Sequence, residues 1–103
     1  MDDINDILDV IDLYIDDYPV WSGAKVKEIF YHIYPSLALG QCKVHRDEDG
    51  VYGYRNWAFL NEETEKNFLE TREIGYNDWN SGDRLWVIDS IFKRKHNEAM
   101  LYY

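Results

Sequence analysis

Cysteine and long apolar stretches are scarce in this 103-residue sequence, and their scarcity excludes several classes of protein. The single cysteine, Cys42, excludes an internal disulfide and is typical of a reducing compartment. No apolar run approaches the roughly 20 residues of a membrane-spanning helix. The first residues, Met1-Asp2-Asp3, lack the basic region and apolar stretch of a signal peptide. We therefore expect a cytoplasmic protein without a membrane span.

Basic residues are also few, which bears on the partners that the protein can bind. Lys and Arg total 11 against 20 Asp and Glu, a formal net charge of −9. Such a charge repels nucleic-acid phosphates and attracts basic proteins. Residues 1–17 hold seven acids and no base. We therefore expect either a solvated acidic helix face or a binding surface for a basic protein, made of Asp9, Asp12, Asp16 and Asp17.

The sequence lacks the patterns that hold metals and nucleotides. It has no zinc-ligand spacing and no glycine-rich phosphate loop. Asp47, Glu48 and Asp49 suggest calcium, but the alternating acids and final glutamate of an EF-hand loop are missing. We expect no cofactor and no metal.

The periodicity of apolar residues predicts one small α/β (α+β) domain over residues 1–103. Helical spacing covers residues 4–18 up to Pro19, and a second helix runs from Val26 towards Gly40, with Pro35 expected to kink or shorten it. Residues 41–46 and 51–58 read as a hairpin, and 85–92 as a third strand. Asn61 is expected to cap a third helix that extends to about residue 70. The tail from Asn97 to Tyr103 could begin a further helix.

One stretch, Asp78-Trp79-Asn80-Ser81-Gly82-Asp83-Arg84-Leu85-Trp86-Val87-Ile88-Asp89, carries a resemblance. It resembles the D-W-x-S-G-D-R-x-W-x-I-D signature of the toxin-activating lysine acyltransferases, which fatty-acylate RTX protoxins. Trp57-Ala58-Phe59-Leu60 is similar to the W-A-x-L of that family. The resemblance covers roughly residues 18–103. It implies a half-length acyltransferase fold of the GNAT type, with about three antiparallel strands and two to three helices, corresponding to the N-terminal half of a family member.

The resemblance also implies a site from which one residue is missing. Family members use a His after the first helix and an Asp at the end of the signature strand. The Asp corresponds to Asp89, but the His position falls on Trp21, and a small hydroxyl residue falls on Tyr18. An indole cannot act as a general base. Members also continue beyond the length of this chain, into the region that supplies much of the acyl-donor site.

Several other residues could take part in a site that lacks the family histidine. Asp89 reads either as a relic of the catalytic site or as a strand-end acid held by backbone N–H groups or Arg84, with no His beside it. His32 could replace the base, but a solvated or locally bonded histidine is the simpler interpretation. Cys42 as a nucleophile lacks triad spacing. Tyr18 and Trp21 are either interface anchors or a loop folded onto the core.

Two functions follow from these patterns. The first, which Trp21 and the absence of the C-terminal half expected from the resemblance both favour, is a catalytically inactive acidic binding protein of the immunity type that captures a basic toxin or protoxin. The second is an active protoxin lysine acyltransferase that uses acyl carrier protein as the donor. In that case a second chain or a second copy would have to complete the donor site.

Overall fold

The computed structural model describes residues 4–93, which form three helices on one side of a three-stranded sheet. The elements are α1 (Ile4–Asp17), a 3₁₀ turn (Pro19–Trp21), α2 (Val26–Leu39), β1 (Cys42–Asp47), β2 (Gly50–Leu60), α3 (Glu62–Thr71) and β3 (Arg84–Phe92). The predicted mixed α/β class and the order of its helices and strands are confirmed. The helix expected from Asn97 lies outside the described residues.

Local signals in the sequence set the ends of the helices. Gly40 ends α2 in the left-handed region, at φ 68°, and its N–H bonds to Leu37 O. The helix continues past Pro35, so the expected shortening does not occur. Burial of Ile33, Pro35 and Ser36 on this helix offsets the lost backbone hydrogen bond.

Asn61 begins α3 as the sequence predicts. Its Oδ1 accepts a hydrogen bond from Thr64 N at 2.8 Å, and Thr64 Oγ1 accepts one from Asn61 N at 3.0 Å. This reciprocal pair satisfies two backbone donors at the helix start. Three glutamates in the first turn, at positions 62, 63 and 65, add favourable charge at the same end.

The sheet is antiparallel, with β2 between β1 and β3. The β1–β2 hairpin turns between Asp47 and Gly50, and Gly50 has a φ of 113°, which favours glycine. The three helices cover one face of the sheet, here called the covered face. On the opposite, outer face, Leu85 and Val87 of β3 remain 60% exposed.

Two hydrophobic clusters fill the space between the helices and the sheet. The larger joins α1 and α2 to the sheet and contains Val10, Ile11, Leu13, Tyr14, Ile29, Ile33, Val51, Tyr54 and Ile91. The smaller contains Ala58, Leu60, Phe68 and Trp79. Of the large apolar residues near these clusters, Trp79 and Ile33 are buried, whereas Phe30, Trp57, Trp86 and Ile88 are half-buried. Within residues 4–93, no helix has the length and apolar character needed to cross a membrane.

Candidate active site

The Ser-Gly pair of the signature fixes the loop that leads into β3. The N–H groups of Ser81 and Gly82 both bond to Phe59 O, at 2.7 and 3.1 Å, and Ser81 Oγ accepts a hydrogen bond from Asn61 N. A Cβ atom on Gly82 would lie 2.5 Å from the backbone N and Cα of Asn61. Glycine is therefore required at position 82 by close backbone packing.

The Arg and the second Trp of the signature join β3 to α3. Glu65 accepts a hydrogen bond from Arg84 Nη1 at 2.6 Å and one from Trp86 Nε1 at 2.9 Å. The Trp86 and Arg84 donors hold the pKa of Glu65 below its ordinary value. One interpretation of the sequence expected Arg84 to hold Asp89. Arg84 instead bonds to Glu65, so this interpretation is wrong. Most of the signature is a scaffold, but its last residue, Asp89, contributes the carboxylate described next, and Trp79 and Ile88 line the neighbouring cleft.

A bulge in β3 turns Asp89 towards the helices. Asn56 pairs with Asp89 and Trp57 pairs with Val87, so Ile88 is an extra residue on β3. Strict alternation would place Asp89 on the outer face with Leu85 and Val87. Because of the extra residue, Asp89 instead lies on the covered face and is only 5% exposed. Its own N–H bonds to Asn56 Oδ1 at 2.8 Å, which fixes the backbone there.

The buried carboxylate of Asp89 contacts a histidine, contrary to the expectation from the sequence. His32 Nε2 lies 2.7 Å from Asp89 Oδ2. The expectation that Asp89 has no His beside it is therefore wrong, as is the simpler interpretation of His32 as solvated or locally bonded. The two residues are 57 positions apart, and the packing of α2 on β3 brings them together.

A tyrosine from α1 completes the polar cluster. Tyr14 donates its O–H to the same oxygen, Asp89 Oδ2, at 2.6 Å, while Asn56 Nδ2 lies 3.5 Å from it. Burial and the neighbouring Asp89 carboxylate raise the pKa of Tyr14 far above its ordinary value, so the phenol remains a donor. In the sequence, Tyr14 only fills an apolar position of the first helix, and no local signal indicates its contact with Asp89.

The cluster extends to two further buried groups. Ser36 Oγ lies 3.0 Å from Tyr54 Oη and donates to Ile33 O at 2.8 Å. Asn56 Nδ2 approaches Ser36 Oγ at 3.4 Å. Ser36, Tyr54 and Asn56 are all fully buried. Their mutual hydrogen bonds make a buried polar network tolerable beside a hydrophobic core.

His32 also borders an aromatic cleft. The cleft has a volume of about 360 Å³, and its lining includes Trp21, Phe68, Ile74, Trp79 and Ile88. The Trp21 ring lies 4.7 Å from the His32 ring, centroid to centroid. In the described part of the chain, His32 Nδ1 makes no hydrogen bond. Since a carboxylate only accepts, Nε2 carries the proton in the bond to Asp89, and Nδ1 is free to accept one.

The remaining candidates occupy other positions. Tyr18 and Trp21 are half-buried against the larger cluster, 5.8 and 6.0 Å from the Tyr14 ring. Cys42 is half-buried, and burial raises its thiol pKa, which disfavours the thiolate. Four acids of α1 line a separate groove of about 190 Å³ together with Asp49 and Lys93: Asp9, Asp12, Asp16 and Asp17. Among residues 4–93, no group of three His, Cys, Asp or Glu could hold a metal ion.

In this small mixed domain, a buried carboxylate holds a histidine beside an aromatic cleft. Such an arrangement is suited to general acid–base chemistry. The model of the RTX toxin acyltransferase family matches residues 3–102. The chain belongs to this family.

Individual relatives agree with this assignment. The chain is 39% identical over 67 residues to the protein-lysine palmitoyltransferase CyaC of Bordetella bronchiseptica, a match that covers 62% of this chain and 36% of that protein. It is 36% identical over 70 residues to the leukotoxin-activating lysine-acyltransferase LtxC of Aggregatibacter actinomycetemcomitans, covering 67% and 42%. The RTX-II toxin-activating lysine-acyltransferase ApxIIC of Actinobacillus pleuropneumoniae is 30% identical over 74 residues, covering 71% and 46%. The matched part of the chain thus covers less than half of each of these relatives.

Proposed function

We propose that this chain takes part in the acylation of a protoxin lysine, with His32 as the general base and Asp89 as its orienting carboxylate. The observation that carries the proposal is the 2.7 Å contact between His32 Nε2 and Asp89 Oδ2 at the edge of the cleft. Family membership supports this reaction class, since relatives are named as lysine acyltransferases.

The chemistry requires a base because the attacking lysine amine must lose a proton. In the proposed step, the amine nitrogen attacks the thioester carbon of an acyl group carried by acyl carrier protein. The new C–N bond forms, the C–S bond breaks, and His32 Nδ1 takes the proton from the amine and returns it to the departing thiolate. Asp89 stabilises the imidazolium that forms in between.

The aromatic cleft supports the same proposal. Its apolar lining suits the acyl chain or the methylene stem of the acceptor lysine, next to the histidine that would act on the amine. Trp21, which occupies the expected position of the family histidine, packs on the His32 ring. In this proposal the base is supplied by α2 instead of the segment after α1. A histidine at position 32 would replace the missing one, which was one of the two reasons for expecting an inactive protein.

The test is an in vitro acylation assay with the full chain, an acyl carrier protein thioester and a protoxin, read by mass spectrometry of the modified lysine. His32→Ala is expected to lower the rate by about 100-fold or more, the usual contribution of a general base. His45→Ala is the matched control, because His45 lies on β1 and bonds to Arg55 away from the cleft. Equal activity of His32→Ala and the wild type would contradict the proposal.

The acidic surface of α1 supports a second candidate, capture of a basic protein without catalysis. Asp9, Asp12 and Asp16 are exposed on α1, where no basic residue occurs among the described positions. Unpaired charge of one sign speeds association with an opposite partner and is screened by salt beyond about 8 Å at physiological ionic strength. Tyr18 and Trp21 would supply short-range contacts through their exposed parts.

This second candidate has its own test. Replacing Asp9, Asp12 and Asp16 with Asn should slow association with a basic partner, with the largest effect at low salt, while Trp21→Ala should mainly speed dissociation. An RTX protoxin is the partner to measure, by surface plasmon resonance over a range of salt. If the association rate depends neither on salt nor on the three Asp→Asn substitutions, the acidic surface is not the binding site.

A further inference from the structure

Asp89 Oδ2 accepts from two side chains at once, and only one of them is the proposed base. Tyr14 Oη lies 2.6 Å and His32 Nε2 lies 2.7 Å from this single oxygen. Tyr14 is fully buried and cannot exchange Asp89 for water as a partner. Hydrogen bonds to one carboxylate oxygen share its negative charge, so the Tyr14 bond lowers the charge that acts on His32.

We propose that Tyr14 is a positioning residue that fixes the Asp89 carboxylate for His32 and limits how strongly this carboxylate favours the protonated imidazole. A base must give its proton back after each turnover, so an imidazolium that is held too firmly slows the reaction. The role of the pair in acyl transfer rests on the proposed function above. The effect of Tyr14 on the protonation of His32 does not depend on it.

Other polar groups lie near the Asp89–His32 pair, but Tyr14 makes the shortest contact with Asp89 Oδ2. The residues with polar or charged groups that face the pair or line the adjoining cavities come from every neighbouring element: Asp17, Tyr18, Trp21, Tyr31, Asn56, Arg72, Glu73, Tyr76 and Ser90. Of these, only Asn56 reaches Asp89 Oδ2, at 3.5 Å, a weak contact beside the 2.6 Å bond from Tyr14. Tyr14 is therefore the dominant second donor on the carboxylate.

The chain offers a matched pair of substitutions for the test. Tyr14→Phe removes the hydroxyl and keeps the ring that packs 5.8 Å from both Tyr18 and His32, centroid to centroid. Tyr54→Phe also removes a fully buried hydroxyl, but one that bonds to Ser36 and not to Asp89. Each change removes one hydrogen bond from a buried group that keeps another, since Asp89 keeps His32 and Ser36 keeps Ile33 O. A general loss of stability should therefore affect both variants alike.

The measurement is an NMR titration of the His32 ring, with His45→Ala and His96→Ala variants used to assign its signals. In Tyr14→Phe, the His32 ring should take up its proton at a higher pH than in the wild type, because the carboxylate then loses its shortest hydrogen bond and acts more strongly on His32. Tyr54→Phe should leave this pH unchanged. An unchanged titration in Tyr14→Phe, or equal shifts in the two variants, would overturn the proposal.

A second measurement covers the case in which Tyr14→Phe does not fold. In the wild type, the buried Tyr14 hydroxyl proton should give a slowly exchanging downfield signal, which should move in Asp89→Asn. Its absence would overturn the proposal.

The acylation assay separates the two claims. A shifted titration without any acyl transfer by the wild type would refute the proposed function and leave the role of Tyr14 standing. With activity present, Tyr14→Phe should lower kcat and leave KM near the wild-type value.

Discussion

The two ends of the covered face of the sheet are filled in opposite ways. Around Ala58 and Leu60 the space is closed by Phe68 and Trp79, and no ionisable side chain is buried there among the described residues. Around Asn56, two residues away along β2 from the start of that cluster, the space holds Asp89, Tyr14 and Ser36. Apolar filling contributes stability directly, whereas a buried polar network at best breaks even. We infer that the apolar end holds the fold and the polar end serves the chemistry.

Truncation at the apolar end should produce the largest loss of stability. Trp79 is 3% exposed, and Trp79→Ala is expected to lower the free energy of unfolding by about 3–5 kcal/mol. Trp86→Ala should cost less, because Trp86 is half-buried. Urea unfolding followed by circular dichroism measures both. A cost at Trp86 above that at Trp79 would contradict the ranking of these two positions.

Gly82→Ala tests the loop that joins the apolar end to the signature. The added methyl would meet the backbone of Asn61 at 2.5 Å, and backbone cannot move aside as a flexible side chain can. We expect a loss of about 1–3 kcal/mol, typical of overpacking. Gly23→Ala is the control, since a Cβ there meets nothing within 4 Å. Thermal unfolding of the two variants should therefore separate them clearly.

Asp89→Asn should change stability little and lower activity strongly, the opposite of a truncation at the apolar end. Asparagine has the same shape and retains one oxygen that can accept from Tyr14, while the cost of burying a charge disappears. The expected change in unfolding free energy is below about 1.5 kcal/mol, within the range of well-tolerated substitutions. Acyl transfer should fall by about 100-fold or more. A variant that is strongly destabilised yet still active would show that the polar end is structural.

The smallest effect is expected outside both ends, at His45. Burial, with the nearby charges of Arg55 and Lys43, lowers the pKa of His45 below its ordinary value of 6.5. The unfolded chain therefore binds the proton more readily, and this residue's contribution to stability is present above pH 6.5 and is lost as pH falls below it. His45→Gln should slightly flatten the fall in melting temperature on the acid side. If the melting temperature of this variant falls with pH as steeply as that of the wild type, groups other than His45 cause the fall.

The sequence predicted the features of the fold that depend on neighbouring residues. The cap at Asn61, the end of α2 at Gly40 and the turn before Gly50 involve contacts over a few positions, and each occurs as expected. Asp89 was identified as a candidate through the resemblance. His32 was named as a possible base, but its contact with Asp89 was not expected, because this contact spans 57 positions and depends on the packing of α2 against β3.

The orientation of Asp89 could not be read from the sequence for a different reason. Alternation along a strand would place Asp89 on the same face as Val87, which is exposed. The bulge at Ile88 reverses this assignment, and the sequence Trp-Val-Ile-Asp contains no glycine or proline to indicate it. Tyr14 was missed similarly, since its position in α1 fits an ordinary apolar helix face.

The close fit between Gly82 and Asn61 has a consequence for motion. α3 buries one residue, Phe68, so on its own it would open readily. Its first residues are bonded through Asn61 and Ser81 to the loop before β3, and this loop is bonded to the end of β2. Amide protons of α3 and of this loop should therefore exchange with solvent as one cooperative unit. Because Phe68, Arg72 and Glu73 form one wall of the cleft beside His32, each opening of that unit would also widen the way to the histidine.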